Sequence, residues 1–145
     1  MVFNNIEKIW ITEAGLEAVV LITKHVGHRC GYVRVPKGHK HDGEHYDYLG
    51  YINVHGGLTY SSESEKFTLS SRDNGTWFGF DCGHYNDASD WEALKALCET
   101  DAEFNEVIRL QELMGFTTQG EIRTLEFCVN ECEKLASCLN SKVED

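Results

Sequence analysis

Short apolar runs separated by turn residues mark the first part of the chain. Residues 7–12 and 17–23 are rich in β-branched residues and flank a turn that contains Gly15. This pattern is typical of a β-hairpin. Residues 30–35 form a third apolar run, and Pro36, the only proline, ends it because proline cannot donate to a sheet ladder. The pattern therefore predicts three consecutive strands.

Further strands are predicted as far as residue 81. Segments 51–55 and 58–61 surround a Gly-Gly kink, and the aromatic run 76–81 indicates a buried strand. Between them, residues 61–74 are mostly polar, with a short strand expected at 67–69. The first half is thus predicted to be mainly β.

The second half has helical periodicity. Ser89 with Glu92 forms a capping-box signature before a helix at 91–97, and a second helix is expected over 104–114. Thr118 with Glu121 repeats this signature before a third helix. Its apolar positions recur every three or four residues: Ile122, Leu125, Val129, Cys132, Ala136 and Leu139.

These elements predict an α+β fold. An antiparallel or mixed sheet from the N-terminal half is expected to pack against the C-terminal helices within a single domain, 1–145. A chain of 145 residues is long enough to bury a core without accessory staples.

The net charge and the lengths of the apolar runs argue against two classes of partner, long nucleic acids and membranes. The chain has 24 acidic and 13 basic residues, a net charge of -11, which argues against binding to long nucleic acids. Residues 25–40 nevertheless contain four basic residues and no acid, so one locally positive site is possible. The longest apolar run, 18–22, is too short to span a membrane, and no signal peptide is evident. We therefore expect a cytoplasmic protein without a membrane partner.

Six cysteines are expected to be free thiols, because disulfides are rare in that compartment. There is no CxxC pair, so neither a zinc ribbon nor a thioredoxin-like motif is indicated. Cys128 and Cys132 lie four residues apart on the third helix, and we assign both to the core because a free thiol behaves as a small apolar group.

Three segments carry most of the candidate chemistry. They read GHRCGYVRVPKGH from Gly27, VHGGLTYS from Val54 and WFGFDCGH from Trp77. Each combines glycine with imidazole or thiol groups near a predicted strand end. Because glycine lets a ligand approach the backbone and pockets commonly form at strand ends, the functional site is expected here.

These three motifs resemble an uncharacterised family of small accessory proteins encoded by tailed bacteriophages and prophages. The resemblance covers most of residues 27–87 and a C-terminal helix at 123–139. Relatives commonly have proline after the position of His39, where this chain has Lys40. The resemblance implies an accessory role in the infected bacterial host and no particular activity.

Two kinds of chemistry remain open besides simple ligand binding. His55, Cys82 and His84, with Asp87 or His28 as a fourth ligand, are compatible with zinc, although their spacing is not that of a familiar zinc motif. Cys82 with a histidine would form a thiolate–imidazole pair, and His55 with His84 would supply a base and an acid for phosphodiester cleavage.

Ligand binding is the leading interpretation. Gly56 and Gly57 would expose backbone N–H groups to an anion, aromatic residues would stack on a base, and basic residues would neutralise phosphates. The expected contacts are His28, Arg29, His55, Gly56, Gly57, Thr59, Trp77 and His84.

By analogy with other small phage proteins, the leading hypothesis is an anti-defence protein that sequesters a small nucleotide-derived immune signal. No cofactor is required, zinc is possible, and a homo-oligomer is possible. The alternatives are a phosphodiesterase-like hydrolase that degrades such a signal, or a zinc-stabilised inhibitor of a host protein that presents an acidic surface.

Overall fold

The computed structural model describes residues 5–24, 27–63, 75–113 and 120–141. Its largest element is a five-stranded antiparallel sheet, in which the strands, counted along the chain, lie in the order first, second, third, fifth and fourth. The strands are β1 (Ile6–Ile11), β2 (Glu17–Ile22), β3 (Arg29–Pro36), β4 (Tyr60–Glu63) and β5 (Gly75–Asp81).

The three central strands are buried on both faces. In β2 and β5 nearly every residue is buried, which explains why both appear as almost continuous apolar runs in the sequence. The register places Val33 of β3 opposite Ala18 of β2 and Phe78 of β5. Alternate residues on β5 therefore face opposite sides of the sheet: Phe78 and Phe80 join the main core, whereas Trp77 joins a small cluster with Val19.

The long helix α3 (Leu125–Leu139) covers one face of this sheet and contacts β3 and β2. Its buried residues are Cys128, Cys132, Leu135, Ala136 and Leu139. Gly31 allows this close packing, since a Cβ there would lie 2.5 Å from Phe80 Cζ and 2.8 Å from Cys132 Sγ. The assignment of Cys128 and Cys132 to the core is confirmed.

Five smaller elements complete the described fold. A 3-10 helix (Tyr46–Leu49) follows β3, and the helices α1 (Trp91–Leu97) and α2 (Asp101–Leu113) contact each other. The short strands β6 (Asp87–Ala88) and β7 (Glu121–Ile122) pair in parallel. The α+β fold, with a β-rich N-terminal half and C-terminal helices, is confirmed.

Three sequence predictions are wrong in detail. Residues 51–55 contain turns rather than a strand, as shown by the Ile52 N to Leu49 O and Gly57 N to Val54 O hydrogen bonds. Asp90, not Ser89, is the N-cap of α1, because its side chain accepts from Ala93 N.

The third concerns the start of α3. Thr124 caps the helix by accepting from Phe127 N, and Ile122 lies in β7 instead of on the apolar helix face. Thr118 and the expected strand at 67–69 lie outside the described residues.

Among the helices of the described part of the chain, none has the length and apolar character that crossing a bilayer requires.

Candidate functional site

Two turns that are distant in sequence meet beside the first turns of α3. The first spans residues 54–59, after the 3-10 helix, and the second spans residues 82–87, between β5 and β6. Each is closed by its own backbone hydrogen bond, Gly57 N to Val54 O at 2.8 Å and Asp87 N to His84 O at 2.9 Å. We refer to the surface they form, centred on His55, His84 and Asp87, as the histidine site.

Asp87 is the buried centre of this site, with a side chain that is only 1% exposed. Its carboxylate accepts hydrogen bonds from His55 Nε2 at 2.9 Å, from the His84 backbone N–H at 2.9 Å and from Arg123 Nε at 2.7 Å. Burial by itself would raise the pKa of Asp87, but these hydrogen bonds outweigh it and lower the pKa to about 2. Asp87 is therefore a permanent negative charge at neutral pH.

The two imidazoles lie on either side of this carboxylate. Their ring centroids are 5.6 Å apart in an edge-to-face arrangement, and the side chains of His55 and His84 are 19% and 38% exposed. His84 Nδ1 lies 3.4 Å from Asp87 Oδ2. Both rings are thus within reach of solvent while their common partner is not.

Neighbouring groups fix both histidines in place. The backbone N–H of His55 donates to Glu131 Oε1 at 2.8 Å, and its ring packs edge-to-face on Phe127 at 5.3 Å. Gly56 has a φ of 70°, and a Cβ there would lie 2.2 Å from His84 Cε1. Glycine is therefore required at this position by both backbone conformation and space.

A second carboxylate borders the histidine site. Asp81 accepts from the Thr59 hydroxyl at 3.0 Å and from the Gly83 backbone N–H at 3.0 Å, and lies 3.7 Å from His84 Nε2. His28 also lies next to Gly83, where a Cβ would lie 3.3 Å from His28 Nδ1 and 3.4 Å from Asp81 Oδ1.

His28 also carries a buried polar atom. Its Nε2 has no hydrogen-bond partner among the described residues. Burial lowers the pKa of His28 below its usual value, so the ring is neutral at pH 7.

The structure thus gathers six of the eight predicted ligand contacts in one region: His28, His55, Gly56, Gly57, Thr59 and His84. The other two are engaged elsewhere. Arg29 is 5% exposed and forms ion pairs with Glu7 at 2.6 Å and Asp90 at 2.8 Å, so its guanidinium cannot neutralise a phosphate. Trp77 is completely buried in the cluster with Val19 and has no surface for a base to stack on.

Cys82 also lies away from the site. The strand β5 ends at Asp81, so the alternation that would place Cys82 and His84 on one side does not continue. The Cys82 thiol points into the core, 3.6 Å from Cys128 Sγ. Contact with Cys128 and burial raise the pKa of Cys82 far above its usual range, which excludes a reactive thiolate.

Arg123 is the important residue that the sequence did not identify. It donates to Asp87 and, through Nη1, to Glu121 Oε2 at 2.8 Å, while its guanidinium lies over the Phe127 ring. A buried carboxylate implies a nearby cation. Nothing in the spacing indicated that this cation would come from 36 residues further along the chain.

The charges around the histidine site are mostly negative. Asp81, Asp87, Glu121 and Glu131 contribute carboxylates, and the only guanidinium that bonds to Asp87 among the described residues belongs to Arg123. Arg123 is shared between Asp87 and Glu121, and Lys134 Nζ lies 3.1 Å from Glu131 Oε2, so two cationic side chains face four carboxylates. The site is therefore better suited to a cation, or to an anion that arrives with one, than to a bare anion.

Neither a family model, nor a curated protein, nor a solved structure matches this chain. The function must therefore be argued from the geometry of the site and from the motifs.

Proposed function

We propose that this protein binds a small, phosphate-bearing ligand of the nucleotide class at the histidine site and holds it intact. The observation that supports this proposal is the convergence of two distant turns, which brings Thr59 and His84 to Asp81, next to His28 at Gly83. Binding residues are commonly carried by loops that a rigid scaffold positions, and His55 and His84 lie on two such turns beside the sheet and α3.

The motif resemblance supports the biological setting. Small accessory proteins of phages commonly act against host defence, and sequestration of a nucleotide signal is one way to do so. A protein with a net charge of -11 would repel a long polyanion more strongly than a small ligand, which also favours a nucleotide over a nucleic acid.

Calorimetric titration with a panel of cyclic and ADP-ribose-derived nucleotides tests the proposal. The wild-type protein is expected to bind one of them, and His84→Ala is expected to lose this binding because His84 is half-exposed in the site. His45→Ala is the matched control, since its side chain is 53% exposed and lies outside the site. Absence of binding to every nucleotide in the panel would contradict the proposal.

A second candidate function is hydrolysis of the same ligand class. The His55 Nε2 to Asp87 hydrogen bond resembles the carboxylate-oriented imidazole of a general base, and His84 is placed to act as the acid. Heating the complex to denature the protein separates the two functions. Release of the unaltered nucleotide indicates sequestration, whereas recovery of a cleaved product indicates hydrolysis.

A further inference from the structure

Three potential metal ligands in the histidine site lie close enough to share one ion. One ligand atom from each of His55, His84 and Asp87 lies within 4.8 Å of the other two. The closest approaches are His55 Nε2 to Asp87 Oδ2 at 2.9 Å and His84 Nδ1 to Asp87 Oδ2 at 3.4 Å.

These separations are close to those of a tetrahedral zinc site. Ligands at 2.0–2.2 Å from zinc and at the tetrahedral angle are separated from each other by about 3.3 Å. The two separations from Asp87 differ from this value by about 0.4 Å or less, and the His55 and His84 ligand atoms lie within 4.8 Å of each other, so rotation of the imidazoles would bring all three ligands to one ion. We propose that His55, His84 and Asp87 bind a divalent transition-metal ion of the zinc class.

The surroundings provide the support that metal ligands usually have. Arg123 Nε holds Asp87 Oδ1, which leaves Oδ2 directed towards both imidazoles. Glu131 anchors the backbone of His55, and Phe127 packs against its ring. Hydrogen bonds of this kind orient the ligands of known metal sites and raise their affinity.

The ion takes the place of a proton. His55 donates its Nε2–H to Asp87. When the ion binds, Nε2 becomes a ligand and the neutral ring carries its proton on Nδ1. No oxidant or other reactant is needed, and Asp87 is already ionised.

The site leaves one position of the ion free. Three protein ligands are the usual number in zinc sites that bind a substrate or water, whereas structural sites use four. Because the His84 side chain is 38% exposed, solvent reaches the site, and a water molecule or a ligand atom would complete the coordination. The ion would supply the positive charge that a phosphate oxygen needs among the carboxylates, an extension that rests on the proposed nucleotide function.

The first experiment uses metal alone. After dialysis against EDTA, we expect the full chain to bind one Zn²⁺ in a calorimetric titration. Co²⁺ is expected to give the intense visible absorption of a tetrahedral site, without the near-ultraviolet bands of thiolate ligands. Thiolate bands would place the ion at a cysteine and would overturn the proposal, as would the absence of binding.

Two pairs of variants locate the ion. His84→Ala is expected to lose the cobalt spectrum, whereas the double substitution His39→Ala and His41→Ala is expected to retain it. The second variant removes the other neighbouring histidines, whose ring centroids are 5.6 Å apart. The reverse result would assign the ion to that pair and overturn the proposal.

Gly56→Ala provides a test that keeps all three ligands. Its Cβ would meet the His84 ring and displace it, so zinc binding is expected to be lost. Gly57→Ala is the matched control because Gly57 has a similar φ of 79° but open space around its Cβ position. Zinc should raise the Tm of the wild type and of Gly57→Ala, and leave that of Gly56→Ala unchanged.

The two proposals fail differently. If the protein binds zinc but no nucleotide, the metal-site proposal is supported and the proposed function is contradicted. If the protein binds no zinc and EDTA does not change its affinity for a nucleotide, the metal-site proposal is wrong. The proposed function is then still supported.

Discussion

At the scale of single residues, the histidine site depends on how one buried carboxylate is neutralised. Asp87 receives hydrogen bonds from two other segments of the chain, at His55 and Arg123. Arg29, which the basic segment 25–40 suggested as a phosphate ligand, instead binds Glu7 and Asp90. Burial of an arginine requires such partners, so a basic residue near a motif is not necessarily a ligand-binding residue.

The low pKa of Asp87 predicts acid sensitivity. Its pKa is about 2 in the folded protein, below the value of about 3.9 expected in an unfolded chain. Asp87 therefore stabilises the fold above about pH 4, by roughly 2 kcal/mol, and this contribution is lost as the pH falls from 4 towards 2.

Urea unfolding between pH 2 and pH 5 in the presence of EDTA measures this effect. The free energy of unfolding of the wild type is expected to fall more steeply on acidification than that of Asp87→Asn, which cannot be protonated. Parallel curves for the two proteins would show that Asp87 is not perturbed.

At the scale of secondary-structure elements, the strands of the hairpin and the buried strand β5 follow directly from local patterns. The predicted strand at 51–55 does not form, although Ile52 and Val54 are both buried in the main core. Ile52 and Val54 are two residues apart, so their burial in an irregular loop produces the same alternating apolar pattern in the sequence as a β-strand does. The resulting turns, rather than a strand, bring His55 to the site.

The N-cap of α3 predicts a measurable loss of stability. Thr124 accepts a hydrogen bond from Phe127 N at 3.1 Å, and this cap lies next to Arg123 and before the residues of α3 that contact His55. Thr124→Ala is expected to destabilise the protein by about 1 kcal/mol, measured by urea unfolding. Thr124→Ser keeps the acceptor oxygen and should lose much less, so equal losses would argue against a capping role.

At the scale of the whole molecule, α3 and the sheet enclose most of the thiols. Cys30, Cys82, Cys128 and Cys132 are buried, whereas Cys98 and Cys138 are partly exposed. Burial raises the pKa of Cys30 to about 11 and that of Cys132 above its usual range. These four cysteines therefore contribute to packing rather than to reactivity.

Thiol labelling checks this arrangement. With an excess of an aromatic disulfide reagent at pH 8, we expect at most Cys98 and Cys138 to react in the native protein, and all six cysteines after denaturation in guanidinium. Fast labelling of Cys82 or Cys128 in the native state, located by mass spectrometry, would contradict the packing of α3 on the sheet.

The sequence by itself determined the α+β class, the first three strands, the strand β5, the presence of the three helices and the burial of Cys128 and Cys132. These features depend on periodicities of about two and 3.6 residues, which are local. It also indicated the glycine- and histidine-rich segments that form the histidine site.

Only the tertiary structure decided which of those residues meet. His55 and Asp87 are 32 residues apart, Arg123 and Asp87 are 36 apart, and His55 and Glu131 are 76 apart. No local pattern encodes such pairings, because they depend on how the turn at 54–59, the end of β5 and the start of α3 close against one another. For the same reason, only the structure showed that Arg29, Trp77 and Cys82 have partners away from the site.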